Sequence, residues 1–152
     1  MAGNCDHRWV GVADDLPALP GAYALHILLD KAVPLPGRWS GRRMEAGEYL
    51  YFGSARGPGG IRARCARHFR SDKKRHWHVD WLTIVTENLR AVAFPNGSEC
   101  DLTTRALEMP DVSISVDGFG SSDCRRCKTH LLTLSPEISA EQVRNAIIAA
   151  RR

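Results

Sequence analysis

The sequence predicts an α+β fold, a sandwich in which helices flank a small antiparallel β-sheet. A run of alternating aromatic and apolar residues near position 50 has the period of two that a half-buried strand requires. The segment at 60–70 instead repeats apolar residues every four positions, as an amphipathic helix does. With 152 residues, 43% of them hydrophobic and 25% charged, the chain is long enough for one domain with its own core.

The first half of the chain is predicted to form a β-hairpin with a long tip. Residues 1–19 are an irregular lead-in, because Asp-Asp-Leu-Pro and Leu-Pro-Gly sequences favour turns. A strand from Tyr23 to Leu29 follows. Residues 31–47, rich in Pro, Gly and Arg, form the basic tip of the hairpin, and Glu48–Ser54 returns as the second strand.

The second half is predicted to alternate helices with short strands, all within a single domain over residues 1–152. Glu99 begins a helix after a Pro-Asn-Gly-Ser turn, and Ser98 is its expected N-cap. The predicted elements are a helix at 60–70, a Trp- and His-rich segment at 76–84, a strand near 89–93, the helix from Glu99, mostly loop at 110–128, a strand at 131–134 and an amphipathic C-terminal helix at 139–151.

Basic residues are concentrated in one part of the chain. The chain has 21 Lys and Arg against 17 Asp and Glu, a net charge of only +4. The overall charge therefore does not indicate a binding partner. Between positions 56 and 75, however, only Asp72 opposes the basic side chains, which is the pattern expected of a nucleic-acid-binding surface. The alternative is an ordinary solvated helix face. The residues expected to contact nucleic acid are Arg62, Arg67, Arg70, Lys73, Lys74, Arg75, His76 and His78.

The helix at 60–70 combines a core face with candidate site residues. Ile61, Cys65 and Phe69 repeat at four-residue spacing and form the core-facing stripe. Arg64 and His68 form an i, i+4 pair on the border of that stripe. Arginine can hold a phosphate with two hydrogen bonds, and histidine can transfer protons. This combination favours phosphodiester chemistry.

Two tripeptides strengthen that interpretation, because Gly21-Ala22-Tyr23 and Tyr51-Phe52-Gly53 resemble the two name-giving motifs of the GIY-YIG endonuclease superfamily. Arg64 and His68 match that superfamily's Arg- and His-bearing helix. The chain looks like a small, little-characterised branch of the superfamily, of the domain-of-unknown-function kind. The resemblance spans positions 20 to 132. Further matching segments are His76-Trp77-His78-Val79-Asp80-Trp81-Leu82, Glu99-Cys100-Asp101-Leu102 and Gly118-Phe119-Gly120-Ser121-Ser122-Asp123-Cys124.

The resemblance implies a metal-dependent endonuclease. It assigns the general base to Tyr23 or Tyr51, and it makes Glu99 the metal-binding carboxylate for Mg²⁺ or Mn²⁺. Arg64 would stabilise charge on the phosphate, while His68 would orient a tyrosine or relay a proton. The alternatives are that both tyrosines only pack in the sheet, and that Glu99 only benefits from the helix dipole.

Several choices stay open at the level of the sequence. Asp101 is a weaker second metal ligand, and either His76 or His78 matches a second histidine that some superfamily members carry. DNA is favoured over RNA as the substrate. A nucleic-acid-binding module that keeps the fold without cleaving is the main alternative function. Because no separate DNA-recognition domain is evident, we expect low sequence specificity or a protein partner that supplies it.

The five cysteines are an odd number, which favours thiols in the reducing cytoplasm over a disulfide framework. The N-terminus lacks the apolar core of a signal peptide, and no apolar run reaches membrane-spanning length. Cys124, Cys127 and His130 form half of a zinc motif, which Cys100 could complete into a zinc-stabilised interaction domain. We do not expect zinc, because a domain of this size needs no metal for stability and the motif supplies only three nearby ligands. Cys100 would have to come from a separate helix whose neighbouring Glu99 serves the other site.

Overall fold

A five-stranded antiparallel sheet forms the centre of the fold in this computed structural model, which describes residues 7–119 and 127–150. The strand order is β5-β1-β4-β7-β6, and β2 pairs with β3 in a separate two-stranded ribbon. The α+β class predicted from the sequence is confirmed. The elements are β1 (Gly21–Leu29), β2 (Val33–Pro34), β3 (Arg43–Met44), β4 (Gly47–Ala55), α1 (Gly60–Phe69), α2 (Asp80–Thr83), β5 (Asn88–Pro95), α3 (Glu99–Leu107), β6 (Val112–Ile114), β7 (Leu131–Leu134) and α4 (Ala140–Ala150).

Alternate residues of the central strand β1 enter two different cores. Tyr23, Leu25 and Ile27 pack in the core that α1 and α2 cover, whereas Ala22 and Ala24 pack in the core that α3 and α4 cover. This is the period-two alternation of a strand whose two faces are both buried. The sheet therefore lies between two pairs of helices, and the side chains of Tyr23 and of α1 share one face.

The lead-in segment fixes the start of α1. The carbonyl oxygen of Leu19 accepts a hydrogen bond from the Ile61 backbone N–H, and that of Pro17 accepts one from Arg62. These bonds satisfy two of the N–H groups that a helix start leaves without partners. Gly60 has φ +59°, and a Cβ there would collide with the Leu19 carbonyl oxygen. Only glycine allows the lead-in to approach so closely.

The basic tip of the hairpin folds back onto the domain. Arg38 donates a hydrogen bond of 3.3 Å to the carbonyl oxygen of Asp117. The Trp39 ring lies 4.7 Å from the ring of His78 and 5.2 Å from that of Phe119. The tip is thus packed beside the segment that follows α1, instead of projecting as a free arm.

The region at 110–128, expected to be mostly loop, contains the short strand β6. Its three residues pair with β7, with Ser113 opposite Thr133. Three residues are too few to show an alternating pattern in the sequence, and Ser113 and Ile114 are exposed at the sheet edge. Residues 120–126 of this region lie outside the described part of the chain.

Candidate active site

A buried contact between Tyr23 of β1 and His68 of α1 forms the centre of the site. The Tyr23 hydroxyl and His68 Nε2 are 2.6 Å apart, and both side chains are buried. Burial, reinforced by the nearby Tyr51, raises the pKa of Tyr23 well above its usual value. Burial and the positive charge of Lys73 lower the pKa of His68 to about 3. His68 is therefore a neutral imidazole at physiological pH.

The second ring nitrogen of His68 makes no contact that would fix the tautomer. Nδ1 is buried and has no hydrogen-bond partner among the residues that the structure describes. A neutral imidazole carries one N–H and a phenol carries one O–H. The 2.6 Å contact therefore forms either from the Tyr23 hydroxyl to Nε2 or from Nε2–H to the phenol oxygen, and the tautomer of His68 decides which.

The complete burial of His68 differs from the border position that the sequence predicts for it. Arg64 and Phe69 are half-buried instead, so the buried face of α1 is turned toward His68. The hydrogen bond to Tyr23 draws the imidazole into the core and satisfies Nε2 there. The fully buried His68 can therefore influence a bound ligand only through Tyr23.

Tyr51 is the tyrosine that solvent can reach. It pairs with Leu25 across the β1–β4 ladder, so it projects to the same face as Tyr23. Its ring lies 6.5 Å from that of Tyr23, and the side chain is half-buried. Burial raises the pKa of Tyr51 to about 12, while the Arg64 charge lowers the pKa and the Glu99 charge raises it. Both charged residues therefore act electrostatically on this phenol.

A close approach explains why glycine ends the second tripeptide. Gly53 lies directly opposite Tyr23 in the ladder. A Cβ at position 53 would collide with both Cζ and the hydroxyl oxygen of Tyr23. The phenol of Tyr23 thus occupies the space that a side chain at position 53 would need.

Glu99 is suitable as a ligand for a hard cation. It begins α3, and the Ser98 hydroxyl caps this helix by accepting a hydrogen bond from the Asp101 N–H. Glu99 Oε2 is buried without a hydrogen-bond partner in the described part of the chain. An unpaired buried carboxylate oxygen is costly unless a cation or water meets it, and Mg²⁺ is commonly held by one carboxylate plus phosphate oxygens. Asp101, the weaker candidate ligand, is exposed.

Asp80, which sequence analysis did not single out, anchors the segment around Trp77. Its carboxylate accepts two hydrogen bonds from Arg67, at 3.0 and 2.9 Å, and one each from the backbone N–H groups of His76 and Trp77. Burial alone would raise the pKa of Asp80, but these hydrogen bonds outweigh it and lower the pKa. An aspartate close behind a basic run was the only sequence signal for this role.

Three of the predicted nucleic-acid contacts are engaged inside the protein. Arg62 donates to the carbonyl oxygen of Leu16, and Arg67 binds Asp80. The Lys73 side chain is only 3% exposed, and its ammonium donates to the carbonyl oxygens of Arg67 and His68 at the end of α1. These three residues stabilise the domain. The exposed members of the predicted set are Arg62, Arg70, Lys74, Arg75 and His76.

Two cavities lie beside these residues. Arg64 and Arg67 place their guanidinium carbons 4.6 and 4.2 Å from the Trp77 ring centre, at the edge of a shallow cavity that Gly57 also lines. A larger cavity, of about 790 Å³, has a basic and aromatic lining. Its charged and aromatic lining residues are Arg38, Trp39, His76, His78, Trp81, Asp117 and Lys128. His78 thus lies in the larger cavity with Trp39.

The predicted zinc ligands converge in part. Cys127 and His130 lie close to Cys100 of α3, and the three potential ligand atoms are all within 4.8 Å of one another. Cys124 lies outside the described residues. The cluster shares no residue with the Tyr23–His68 contact.

Comparison with known proteins assigns a family. The family described as "Domain of unknown function DUF123" matches residues 22–151, so the chain belongs to this family. Comparison with curated proteins and with solved structures finds no match. Within the described ranges, each helix falls short of the length and apolarity needed to cross a bilayer.

Proposed function

We propose that the protein is a metal-dependent endonuclease of the GIY-YIG type, active in the cytoplasm, which hydrolyses phosphodiester bonds in DNA in preference to RNA. The observation that carries the proposal is the buried Tyr23–His68 hydrogen bond with Tyr51 on the same sheet face. Glu99 and Arg64 both influence the pKa of Tyr51, which supports their acting on the same reacting group. The family match is compatible with this function but does not itself specify one.

Each residue has a separate role in the proposed reaction. Tyr51, the more accessible phenol, first releases its own proton to solvent. As a phenolate it then takes a proton from the attacking water while the water oxygen bonds to phosphorus. One phosphorus–oxygen ester bond breaks, and the departing oxygen takes a proton from solvent. Arg64 stabilises the negative charge that develops on the phosphate. His68 holds Tyr23, which fixes the neighbouring ring of Tyr51.

The phenol of Tyr51 has to lose its own proton before it can act as a base, since with a pKa of about 12 it is protonated at neutral pH. A Mg²⁺ or Mn²⁺ ion held by Glu99 would supply Lewis-acid stabilisation of the phosphate and a positive field that favours the phenolate. The Arg64 charge lowers the pKa of Tyr51 in the same direction, whereas burial, the main cause of the raised pKa, opposes it.

The surface around the site suits a nucleic-acid strand more than a small phosphate ester. The large cavity combines arginine, lysine and aromatic side chains, which are the groups that hold backbone phosphates and stack on bases. Binding through backbone phosphates and base stacking is tolerant of sequence. We therefore propose a nuclease of low sequence specificity, or one that a protein partner directs.

A nicking assay on supercoiled plasmid, with and without Mg²⁺ or Mn²⁺, tests the proposal. We expect metal-dependent nicking by the wild type and loss of at least about 100-fold in Glu99→Gln, Arg64→Ala and Tyr51→Phe. Glu87→Gln is the matched control, since Glu87 is an exposed glutamate at the opposite end of β1 and β5. Equal loss in this control would contradict the role assigned to Glu99.

Stability measurements separate impaired chemistry from impaired folding. Glu99→Gln removes an unpaired buried charge, so its melting temperature should stay at or above that of the wild type. Arg64→Ala removes only a partly exposed interaction with Trp77, of about 0.5–1 kcal/mol.

If the wild type binds nucleic acid but cleaves no DNA or RNA form with either metal, a non-cleaving binding module replaces this proposal. The high pKa values of both tyrosines favour that alternative.

A further inference from the structure

Three soft potential metal ligands converge from separate parts of the chain. Cys100 lies in α3, His130 immediately precedes β7, and Cys127 lies three residues before His130. Cys100 Sγ is 3.7 Å from His130 Nε2, and the three ligand atoms all lie within 4.8 Å of one another. Ligands around a tetrahedral zinc are separated by about 3.5–3.8 Å, given bond lengths of about 2.3 Å to sulfur and about 2.0 Å to nitrogen. The cluster is therefore close to zinc geometry without rearrangement of the backbone.

The type of ligand selects the metal. Two thiolates and one imidazole are typical of zinc, whereas Mg²⁺ and Mn²⁺ prefer the oxygen ligands that Glu99 offers. Two cysteine thiolates also cancel the charge of one Zn²⁺, so the loaded site has no net charge. This matters because Cys100 and His130 are both buried, and a buried net charge would be costly.

Sequence analysis did not favour zinc, because Cys100 had to come from a separate helix whose neighbouring Glu99 serves another site. The structure removes that geometric objection. The Cys100 side chain is directed toward His130, while Glu99 influences the pKa of Tyr51. A domain of this size does not need a metal to fold, but a metal can still hold one segment against another.

We propose that Cys100, Cys127 and His130 form a zinc site that ties the start of α3 to the segment before β7. The described residues supply three ligands, and a water or another ligand takes the fourth position. Its role is structural: it holds the helix that carries Glu99 against the sheet. This proposal does not depend on nuclease activity.

Metal analysis of the untagged, chelator-free protein tests the site directly. We expect about one tightly held zinc per chain by elemental mass spectrometry, and a lower melting temperature after removal with a strong chelator. Cys127→Ser should weaken zinc binding by more than about 100-fold, beyond what loss of an outer hydrogen-bond partner causes. Cys65→Ser is the matched control, since Cys65 is a buried cysteine of α1 outside the cluster, and it should keep its zinc.

The design keeps the proposal falsifiable if a variant folds poorly. Cys127 is only half-buried, so its replacement should leave the fold intact, which circular dichroism can verify. Substitution with Co²⁺ gives a second measurement, because thiolate ligation produces a charge-transfer absorption that Cys127→Ser should reduce. Substoichiometric metal in the wild type, even after one equivalent of Zn²⁺ is added, would overturn the proposal. A Cys100–Cys127 disulfide in freshly purified protein would overturn it as well.

Discussion

His68 is buried as a neutral ring beside Lys73, Arg67 and Arg64, and this position couples stability to pH. Burial is the main reason that its pKa falls to about 3, and the nearby positive charges add to the effect. In the unfolded chain a histidine has a pKa of about 6.5. Below that pH, the histidine binds a proton in the unfolded state but not in the folded state. The free energy of unfolding therefore falls as the pH drops from about 6.5 toward 3.

Replacing His68 with glutamine should remove the part of the pH dependence of stability that His68 causes. The wild type should lose about 2 kcal/mol between pH 7.5 and pH 5 through His68 alone, since each pH unit below the unfolded pKa contributes about 1.4 kcal/mol. The glutamine amide can donate a hydrogen bond to the Tyr23 hydroxyl or accept one from it, but it does not titrate. Urea unfolding of both proteins at the two pH values measures the difference. If the two proteins lost the same stability between these pH values, His68 would not be the buried neutral group described above.

At the scale of elements, Asp80 joins α1 to the segment that begins α2. Arg67 of α1 and the backbone of His76 and Trp77 all donate to its carboxylate, and Lys73 Nζ lies 3.8 Å from it. Removing one partner from a buried ion pair leaves the others uncompensated. Asp80 therefore fixes the position of Trp77, on which Arg64 lies.

We expect Asp80→Asn to destabilise the domain by about 3 kcal/mol, near the lower end for a broken buried ion pair because Arg67 is 27% exposed to water. Asp72→Asn is the matched control. Asp72 is 85% exposed and pairs with Arg70 only at 3.5 Å, so its loss should change stability by less than about 0.5 kcal/mol. Chemical denaturation compares the two variants. A similar small effect in both would show that Asp80 is not an anchor.

The contrast between predicted and observed elements follows from the range of the interactions involved. Period-two and period-four patterns are local, so β4 and α1 were predictable, and a hairpin places Tyr23 and Tyr51 on neighbouring strands. The burial of His68 was not predictable, because border and core positions differ by one step around a helix. The pairing of Arg67 with Asp80 depends on how two helices meet, which no local pattern records.

At the scale of the whole molecule, the net charge of +4 understates the basic surface beside the site. Apart from Arg62, which donates to the Leu16 carbonyl oxygen, the exposed cations of the predicted nucleic-acid-binding set are Arg70, Lys74 and Arg75. Cations that bind phosphates release condensed counterions, so affinity should fall with rising salt in proportion to the number of phosphates bound. These three residues should therefore control the salt dependence of binding.

Replacing Arg70, Lys74 and Arg75 with alanine should flatten the slope of log affinity against log salt by about 0.9 for each phosphate that the variant no longer neutralises. The Glu99→Gln background prevents cleavage, and fluorescence anisotropy with a labelled duplex gives the slope. Lys31→Ala is the control, because Lys31 is exposed beyond the far end of β1. An unchanged slope in the triple variant would place the nucleic-acid surface elsewhere.

The close approach of Tyr23 to Gly53 has a consequence for how such sequences can vary. Since the phenol fills the volume that a side chain at position 53 would take, the two positions form one steric unit across neighbouring strands. A chain with a small side chain in place of the Tyr23 phenol could accept residues other than glycine at position 53. A chain that kept the phenol would still require glycine there. The two tripeptides are thus a single motif folded at the hairpin. Their separation along the chain reflects only the length of the tip, which the pairing of β1 with β4 leaves free to change.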